Sequence, residues 1–293
     1  MNKLIDVRPV VYSLPAFAIP NYGGGSFITS ENLLLMTTRS KLNHSVISVY
    51  DFSGYLKAPT STIPILSTNI LDPVLSQLKQ SLGQSYPYLY RTHDGYALLF
   101  TDWFKRKKSG SISNRLSVAI LDHSLKATRI LFSRSSSPIF AAGAPRILSY
   151  NGYIRLAIPL LCDSKEEGFP DYTMNISKDI NTTSALTGVE LAETLLSLKE
   201  TDFTIFKTGR DKTTYLNHIT QGPLAGMYIY SARNNNSEYR LYSSYLGIKH
   251  YPIRAASQTT LTYPSHFSSN KTDYLLVSTG RYGCNGLYCG RLI

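Results

Sequence analysis

Short apolar segments alternate with polar turns along most of the chain, which is the pattern of antiparallel β-hairpins. In the clearest copy, residues 86–90 lead through His93-Asp94-Gly95 into residues 96–100, and a second copy turns at Asn151-Gly152. Asp-Gly and Asn-Gly are strong hairpin signals because both central residues of a type I′ turn need a positive φ. The pattern therefore predicts a chain made of hairpins.

The hairpin unit recurs, and each copy is followed by a polar loop and a third strand. The other copies turn at residues 30–32, near Gly226 and at residues 270–273. The third strands are expected at residues 45–50, 116–121, 172–176, 239–242 and 287–289. Small antiparallel sheets repeated along a chain are typical of β-propellers. We predict an all-β fold, a five-bladed β-propeller forming a single domain over residues 1–293, in preference to a β-sandwich.

The chain carries a strand that can complete the last unit. Residues 287–293 supply only its third strand, whereas residues 5–12 precede the first unit. We expect residues 5–12 to pair as the outer strand of the last blade, so that the N-terminal strand closes the propeller. Pro9 is acceptable there because an edge strand needs no hydrogen-bond donor on its open side.

Two stretches carry helix signals and are predicted to be short helical insertions. Residues 72–83 begin with Asp72-Pro73 and end at Gly83, which matches an N-cap, a proline at the first helical position and a glycine after the last. Thr187-Gly188-Val189-Glu190 has the spacing of a capping box, in which two side chains satisfy N–H groups at the helix start. It opens a predicted helix that extends through residue 196.

Composition narrows the class of protein. Hydrophobic residues make up 43% of the chain and charged residues only 17%, with Tyr 22 and Cys 3. No apolar run approaches the roughly 20 residues of a membrane span, and residues 1–6 lack the apolar segment of a signal peptide. Three cysteines cannot form a disulfide framework, and no His/Cys spacing matches a zinc site. We expect a soluble cytoplasmic protein without metal or cofactor.

The net charge of +11 points to an acidic partner. An acidic glycan, a phosphorylated small molecule, a nucleic acid or a membrane surface all fit such a charge. The one dense run is Lys105-Arg106-Lys107-Lys108. Its simplest interpretation is a solvated loop.

The repeated units resemble glycoside hydrolase family 43 and its relatives among the invertases and levansucrases, which are five-bladed propellers. The resemblance lies in a proline near the start of the inner strand, followed by a turn and an aromatic residue. It rests on Tyr86-Pro87 with Asp94-Gly95-Tyr96, Ala144-Pro145 with Asn151-Gly152-Tyr153, and Gln221-Gly222-Pro223. It covers most of the chain and implies a carbohydrate site in a central cleft.

The catalytic acids of that family are not matched. The resemblance implies an Asp base in the first blade, an Asp in the third and a Glu acid in the fourth, but the corresponding positions hold Asn21-Tyr22, Ala144 and Gln221. A glutamine amide donates a hydrogen bond but cannot transfer a proton as a carboxylic acid does. Asn21, Tyr22 and Gln221 are therefore candidate ligand contacts, and loss of hydrolysis is expected.

Aligning the ends of the second strands predicts which side chains meet on one face. Arg39, Arg233 and Arg281 occupy this position in three units, and Asp102 and Trp103 in a fourth. Arginine binds carboxylate, sulfate or phosphate through two parallel hydrogen bonds, and Tyr88 and Trp103 are candidates for stacking on a sugar ring. Alternatively, the arginines pair with Asp102 and loop carbonyls while the aromatic residues pack between blades.

The leading hypothesis is recognition of an acidic carbohydrate or sugar phosphate in the central cleft. A second is a glycoside hydrolase or glycosyl-transferring enzyme with rearranged catalytic residues, for which Asp102 and His266 are the best acid/base candidates. A third is a protein or nucleic-acid platform that uses the basic loop 105–108, with nucleic acid the less favoured partner. The sequence leaves enzymatic activity open.

Overall fold

Most of the residues that the structure describes belong to β-strands. The computed structural model describes residues 4–13, 19–20, 26–29, 31–39, 44–59, 61–106, 109–133, 145–150, 152–162, 171–177, 179–181, 186–207, 212–218, 228–233, 238–243, 247–250, 261–269, 272–279 and 286–292. Within these residues there are 22 strands, one α-helix and two 3-10 helices. The predicted all-β class is confirmed. None of the helices in this part of the chain has the length and apolar character needed to cross a membrane.

The strands are β1 (Leu4–Pro9), β2 (Ile19–Pro20), β3 (Ser26–Ile28), β4 (Leu33–Arg39), β5 (Ser45–Asp51), β6 (Ile65–Ser67), β7 (Ser81–Thr92), β8 (Gly95–Lys105), β9 (Ile112–Leu121), β10 (Ala127–Phe132), β11 (Arg146–Tyr150), β12 (Tyr153–Cys162), β13 (Asp171–Ser177), β14 (Ile180–Asn181), β15 (Phe203–Lys207), β16 (Lys212–His218), β17 (Tyr228–Arg233), β18 (Glu238–Ser243), β19 (Gly247–His250), β20 (Leu261–Ser269), β21 (Thr272–Thr279) and β22 (Gly286–Leu292). The α-helix, α1, spans Gly188–Ser197, and the 3-10 helices span Asp72–Gln77 and Glu200–Asp202.

All of these strands except β2, which pairs with β4, and β14, which pairs with β12, form five antiparallel meanders of four, numbered in chain order. The first is β3-β4-β5-β6, the second β7-β8-β9-β10, the third β11-β12-β13-β15, the fourth β16-β17-β18-β19 and the fifth β20-β21-β22-β1. One parallel bridge, between Ser45 and Gly83, joins the first and second meanders into one sheet. A Cβ on Gly83 would lie 2.7 Å from the Ser45 nitrogen, so the two strands can approach this closely only at a glycine.

The predicted hairpins and third strands are largely confirmed. Thr92 pairs with Gly95 at the turn of the second meander, and Tyr150 pairs with Tyr153 at that of the third. The strands predicted as third in each unit all pair antiparallel with the second strand. The predicted pairing of the N-terminal strand with the last unit is also confirmed, because β1 pairs antiparallel with β22 and occupies the edge of the fifth meander. Pro9 therefore lies on an edge strand, as its missing N–H requires.

Neighbouring meanders touch through their first strands. β3 and β4 lie against β7, β11 and β12 against β16, β16 and β17 against β20, and β20 against β3. A hydrogen bond of 2.8 Å from the Tyr88 hydroxyl to the Ile147 carbonyl links β7 to β11. One apolar cluster combines residues of the first three meanders with α1, and a second joins the first meander to the fifth.

The helix predicted over residues 72–83 is wrong in extent. The structure has only the 3-10 helix Asp72–Gln77, with Leu71 rather than Asp72 at the N-cap. The Asp72 carboxylate accepts a hydrogen bond from the Asn69 amide at 2.7 Å, and the Gln77 side chain accepts one from the Ile130 N–H at 2.9 Å. The chain is extended again from Ser81, so Gly83 belongs to β7 and does not end a helix.

The first strand predicted for the fourth meander is also wrong. The sequence places the start of the inner strand of this unit at Gln221-Gly222-Pro223, but β17 pairs with β16, Lys212–His218, on one side and with β18 on the other. The segment 212–218 is rich in threonine and tyrosine, which favour strands, whereas Pro223 has no N–H to donate. Residues 219–227 lie outside the described part of the chain.

Helix α1 confirms the predicted capping box and is held against a hairpin turn. The Thr187 hydroxyl accepts from the Glu190 N–H, and the Glu190 carboxylate accepts from the Thr187 N–H. The Asp94 carboxylate accepts hydrogen bonds from the Gly188 N–H at 2.7 Å and from the Thr92 hydroxyl at 3.0 Å. Asp94 therefore ties the start of α1 to the β7–β8 turn.

The two turn glycines Gly95 and Gly152 provide a matched test of the hairpins. Gly95 has φ 147°, and a Cβ there would lie 2.1 Å from the Leu121 carbonyl oxygen, whereas Gly152 has φ 78° and no atom within 4 Å of the Cβ position. Urea unfolding should show that Gly95→Ala loses at least about 3 kcal/mol of unfolding free energy, while Gly152→Ala loses about 1 kcal/mol from its backbone conformation alone. Equal losses would mean that the backbone clash at Gly95 relaxes.

The acid limb of the stability curve should depend on Asp94. Burial alone would raise the pKa of the Asp94 carboxyl, but hydrogen bonds from Gly188 and Thr92 lower it below its usual value of 3.8. A lowered folded-state pKa gives stability that is present above the unfolded value and is lost as pH falls through the folded one. Between about pH 5 and about pH 3, the urea midpoint of Asp94→Asn should fall less than that of the wild type. Glu193→Gln, on the exposed side of α1, is the control and should follow the wild type.

Candidate functional site

In each meander, we call the edge where the second strand ends and the third begins the rim, and the bridge between Ser45 and Gly83 brings the rims of the first and second meanders together. In the first meander, Arg39 is the last residue of β4, lies opposite Ser45 and is exposed. In the fourth, Arg233 ends β17 opposite Lys212, and the structure describes its backbone but not its side chain. Arg281, Gln221, Asn21 and Tyr22 lie outside the described residues. Their predicted roles stay predictions.

A row of three polar residues crosses the second meander just below the rim. Gln84, Asp102 and Arg115 face one another on β7, β8 and β9. Arg115 donates to Asp102 Oδ2 from Nε and from Nη2, both at 2.9 Å. The Ser81 hydroxyl donates to Asp102 Oδ1 at 2.5 Å and accepts from the Gln84 amide at 2.8 Å. The strand register and a bulge near Ser81 thus bring four polar side chains together.

Asp102 has no direct access to a ligand in this arrangement. The side chain has 0% of its surface exposed. Burial raises the pKa of its carboxyl, while the hydrogen bond from Ser81 and the charge of Arg115 oppose the rise. Both carboxylate oxygens accept hydrogen bonds from the protein, so the geometry suits an anchor that orients Arg115. Proton transfer by Asp102 stays a prediction.

The first strand of the second meander, β7, is irregular beside this row. Tyr86, which precedes Pro87, has φ 58°, and a bulge separates Ser85 from Tyr88. A positive φ at a residue with a side chain costs about 1–2 kcal/mol, and such strain is concentrated at functional sites. The indole N–H of Trp103 donates to the Ser85 hydroxyl at 2.7 Å, which fixes the half-buried ring beside the bulge.

Tyr88 is a link between meanders in this structure. The ring is buried, and its hydroxyl donates to the Ile147 carbonyl. Burial raises the pKa of the Tyr88 hydroxyl, and the charge of Arg146 opposes the rise. Of the two aromatic residues predicted to stack on a sugar, Trp103 therefore has the more accessible ring. This agrees with the sequence-based alternative that aromatic residues pack between blades.

Arg146 is a buried charge that no sequence motif indicated. The residue is only 2% exposed, and its guanidinium lies 5.2 Å from the centre of the Tyr88 ring. Its Nη1 donates to the Pro145 carbonyl at 2.8 Å. Arg146 starts β11, directly after the Ala144-Pro145 pair of the family resemblance. A single arginine in an otherwise uncharged strand was the only signal available, and it does not distinguish a packed residue from a functional one.

His266 lies in the second half of its strand. β20 begins at Leu261, and His266 pairs with Leu275, close to the Ser269–Thr272 pair at the end of the hairpin and away from the rim. Its side chain is outside the described set, as are Lys107 and Lys108 of the basic loop. Lys105 and Arg106 are exposed. In the described part of the chain, no group of three or more His, Cys, Asp or Glu residues could hold a metal ion.

Comparison with known proteins gives matches in structure only. No protein-family model matches the chain, and no curated protein sequence does. An endo-arabinase from Bacteroides thetaiotaomicron matches with a TM-score of 0.55 over 98% of this chain and 98% of its own, at 12% identity. A structure described as a glycoside hydrolase matches with a TM-score of 0.52 over 97% of this chain and 90% of its own, at 6% identity. At such identities, the similarity concerns the fold alone.

The pairing of Asp102 with Arg115 can be tested by a double-mutant cycle. Arg115→Met leaves a fully buried carboxylate and should cost about 3–5 kcal/mol of unfolding free energy, whereas Asp102→Leu leaves a partly exposed guanidinium and should cost less. The double variant should be more stable than Arg115→Met alone, because neither charge is then left unpaired. Additive losses, measured by urea unfolding, would contradict this pairing.

The Arg115→Met variant also has an expected pH signature. Without the guanidinium, burial leaves the folded-state pKa of Asp102 above the unfolded one. Stability is then present below the unfolded pKa and is lost as pH rises toward the folded pKa. The deficit of Arg115→Met relative to wild type should therefore shrink between about pH 7 and about pH 4.

Proposed function

We propose that the chain is a single five-bladed β-propeller that recognises an acidic carbohydrate or a sugar phosphate in its central cleft. The similarity in fold to an endo-arabinase over 98% of both chains is the observation that carries this proposal. Five four-stranded meanders, successive contacts between their first strands and the pairing of β1 with β22 support a propeller. In a propeller, a central channel runs between the first strands of the blades.

The charge of the protein supports an acidic ligand. The chain has a net charge of +11, and Arg39 is exposed on the rim. Rim arginines at positions 39, 233 and 281 would present planar donors to a carboxylate, sulfate or phosphate group. Trp103, held by Ser85 beside the bulge, would supply an apolar surface for a sugar ring.

Binding without hydrolysis fits the residues at the family's acid positions. Asn21, Ala144 and Gln221 replace the three carboxyl groups that the resemblance requires. Inverting and retaining glycosidases both need a paired acid and base or nucleophile. Asp102 is buried and ion-paired, so it does not supply a free carboxyl group at the rim. We therefore propose that the protein binds a carbohydrate without hydrolysing it.

Native mass spectrometry tests binding and turnover together. The purified chain would be incubated with neutral oligosaccharides, acidic oligosaccharides and sugar phosphates of similar size. Complexes with acidic sugars and no new product masses are the expected result. New product masses would overturn the assignment as a binding protein and would make Asp102 and His266 the first residues to test for catalysis. Absence of complexes with any acidic sugar would overturn the proposed function.

Charge reversal on the rim should weaken binding of the acidic sugar found in that screen. Arg39→Glu is expected to reduce the affinity by roughly tenfold or more, because a like charge then faces the ligand. Arg91→Glu is the matched control: its side chain is 68% exposed, and it lies near the β7–β8 turn, at the opposite end of the strands. Isothermal titration calorimetry should show a much smaller loss for Arg91→Glu. Equal losses in the two variants would mean that only the net charge matters.

A further inference from the structure

The guanidinium of Arg115 is held between two aromatic rings on the outer part of the second meander. Its central carbon lies 4.7 Å from the centre of the Phe104 ring and 4.0 Å from that of Phe132. Together with the two hydrogen bonds to Asp102, these contacts fix the orientation of the planar group. Such an arginine loses little conformational entropy when it binds a ligand.

One edge of this guanidinium is turned away from Asp102. Nε and Nη2 face the carboxylate, while Nη1 makes no hydrogen bond to any residue that the structure describes. The Arg115 side chain keeps 14% of its surface exposed. The guanidinium is thus held in place by Asp102 on one edge and by aromatic rings on its faces. Its remaining N–H groups are suited to bind an anion.

Arg106 supplies a second guanidinium next to this one. Its N–H donates to the Ser111 carbonyl and its carbonyl accepts from Gly110, both at 2.9 Å, so its backbone is held in a tight turn. Its Nη2 donates to the Ser113 hydroxyl at 3.1 Å. Ser113 lies two residues before Arg115 on β9 and directly opposite Phe104 on β8. Side chains two residues apart in a strand share a face, so Ser113 lies beside Arg115.

The pair of arginines has an unbalanced positive charge. Asp102 compensates Arg115, whereas Arg106 is exposed and its side chain donates to the neutral Ser113. Exposed Lys105 is adjacent to Arg106. Phe132, on the outermost strand of this meander, is 40% exposed although it is a large apolar residue. An apolar ring beside two oriented guanidinium groups suits a ligand that carries both an acidic group and an apolar surface.

We propose that Arg106, Ser113 and Arg115 bind a single oxyanion group, a carboxylate, sulfate or phosphate, with Phe132 packing against the molecule that carries it. Arg115 donates through the edge that Asp102 does not use, Arg106 supplies the net charge, and the Ser113 hydroxyl donates its own proton. This position involves β8, β9 and β10, away from the inner strands, so it is separate from the central cleft and independent of the function proposed there. It gives Arg106, within the basic run at residues 105–108, a defined role.

The arrangement favours one charged group over a nucleic-acid backbone. Neutralising a strand of nucleic acid needs a track of several cationic side chains spaced along it, with one contact for each phosphate. The described residues place two arginines around one serine and one exposed ring. That is the size of a single acid group and the sugar ring to which it is attached, or of a free anion.

The test is isothermal titration calorimetry of the full chain with five probes: inorganic sulfate, inorganic phosphate, a sulfated heparin-derived tetrasaccharide, neutral cellotetraose and a thymidine oligonucleotide. Arg106→Gln should weaken the anions and the sulfated tetrasaccharide by roughly tenfold. Phe132→Ala should weaken the sulfated tetrasaccharide by about threefold to tenfold and the inorganic anions by less, because it removes the apolar surface for the sugar and only one of the contacts that hold Arg115. Arg129→Gln, which removes an exposed charge from β10 of the same meander, is the control and should stay within about twofold of wild type.

Arg115 itself is left intact in these variants because its removal would leave the buried Asp102 carboxylate unpaired. Tighter binding of the sulfated tetrasaccharide than of sulfate would assign the site to acidic sugars, and equal binding would assign it to free anions. The proposal is overturned if Arg106→Gln binds every probe as the wild type does, or if Arg106→Gln and Arg129→Gln lose affinity equally. Tighter binding of a thymidine oligonucleotide, with a steep salt dependence and loss in Arg106→Gln, would also overturn it in favour of a phosphate track. Arg39→Glu acts on the central cleft, so failure there is distinguishable from failure at Arg106.

Discussion

The packing of each meander's face on the next meander is the interaction on which the rest of this structure depends. A four-stranded antiparallel sheet is too small to bury its own apolar side chains, and it becomes stable when those faces meet other sheets. One cluster unites the first three meanders and α1 around residues such as Leu35, Leu98 and Leu156. A second brings Leu34 and Tyr50 of the first meander against Leu276 of the fifth. Residues far apart in the sequence, such as Leu34 and Leu276, therefore meet in one core.

This constraint determines how charged and polar groups are held near the rim. A polar side chain between two packed sheets must find partners there, because leaving a buried charge unpaired is costly. Asp102 has Arg115 and Ser81, and the hydroxyl groups of Thr38 and Ser48 pair at 2.8 Å. The polar side chains just below the rim are thus paired because packing requires it. A side chain that uses only part of its hydrogen-bonding capacity in this way, such as Arg115, keeps N–H groups that can bind a ligand.

The sequence was most informative where the signal is local. The turns at Gly95 and Gly152 and the capping box at Thr187 could be predicted because a few adjacent residues determine each one. Pairing of β1 with β22 was predictable from counting strands, although no local motif indicates it. The pairing of Asp102 with Arg115 was missed because it depends on the length of the β8–β9 loop, which sets the register. Arg146 was missed because its burial between two meanders follows from tertiary packing. The helix expected at residues 72–83 is shorter in the structure because residues from Ser81 onward belong to β7.

The pairing of Leu4 with Leu292 has a consequence for how the protein is made. A ribosome releases the N-terminus first, at about 5–20 residues per second, so β1 waits on the order of tens of seconds for its partner strand. During that time, the apolar residues of the first meander that will face β21 and β22, among them Leu34 and Met36, are without their final cover. Molecular chaperones that bind extended apolar chain would find their target in this early part of the nascent protein. The fifth meander is therefore complete only after β22 has been synthesised.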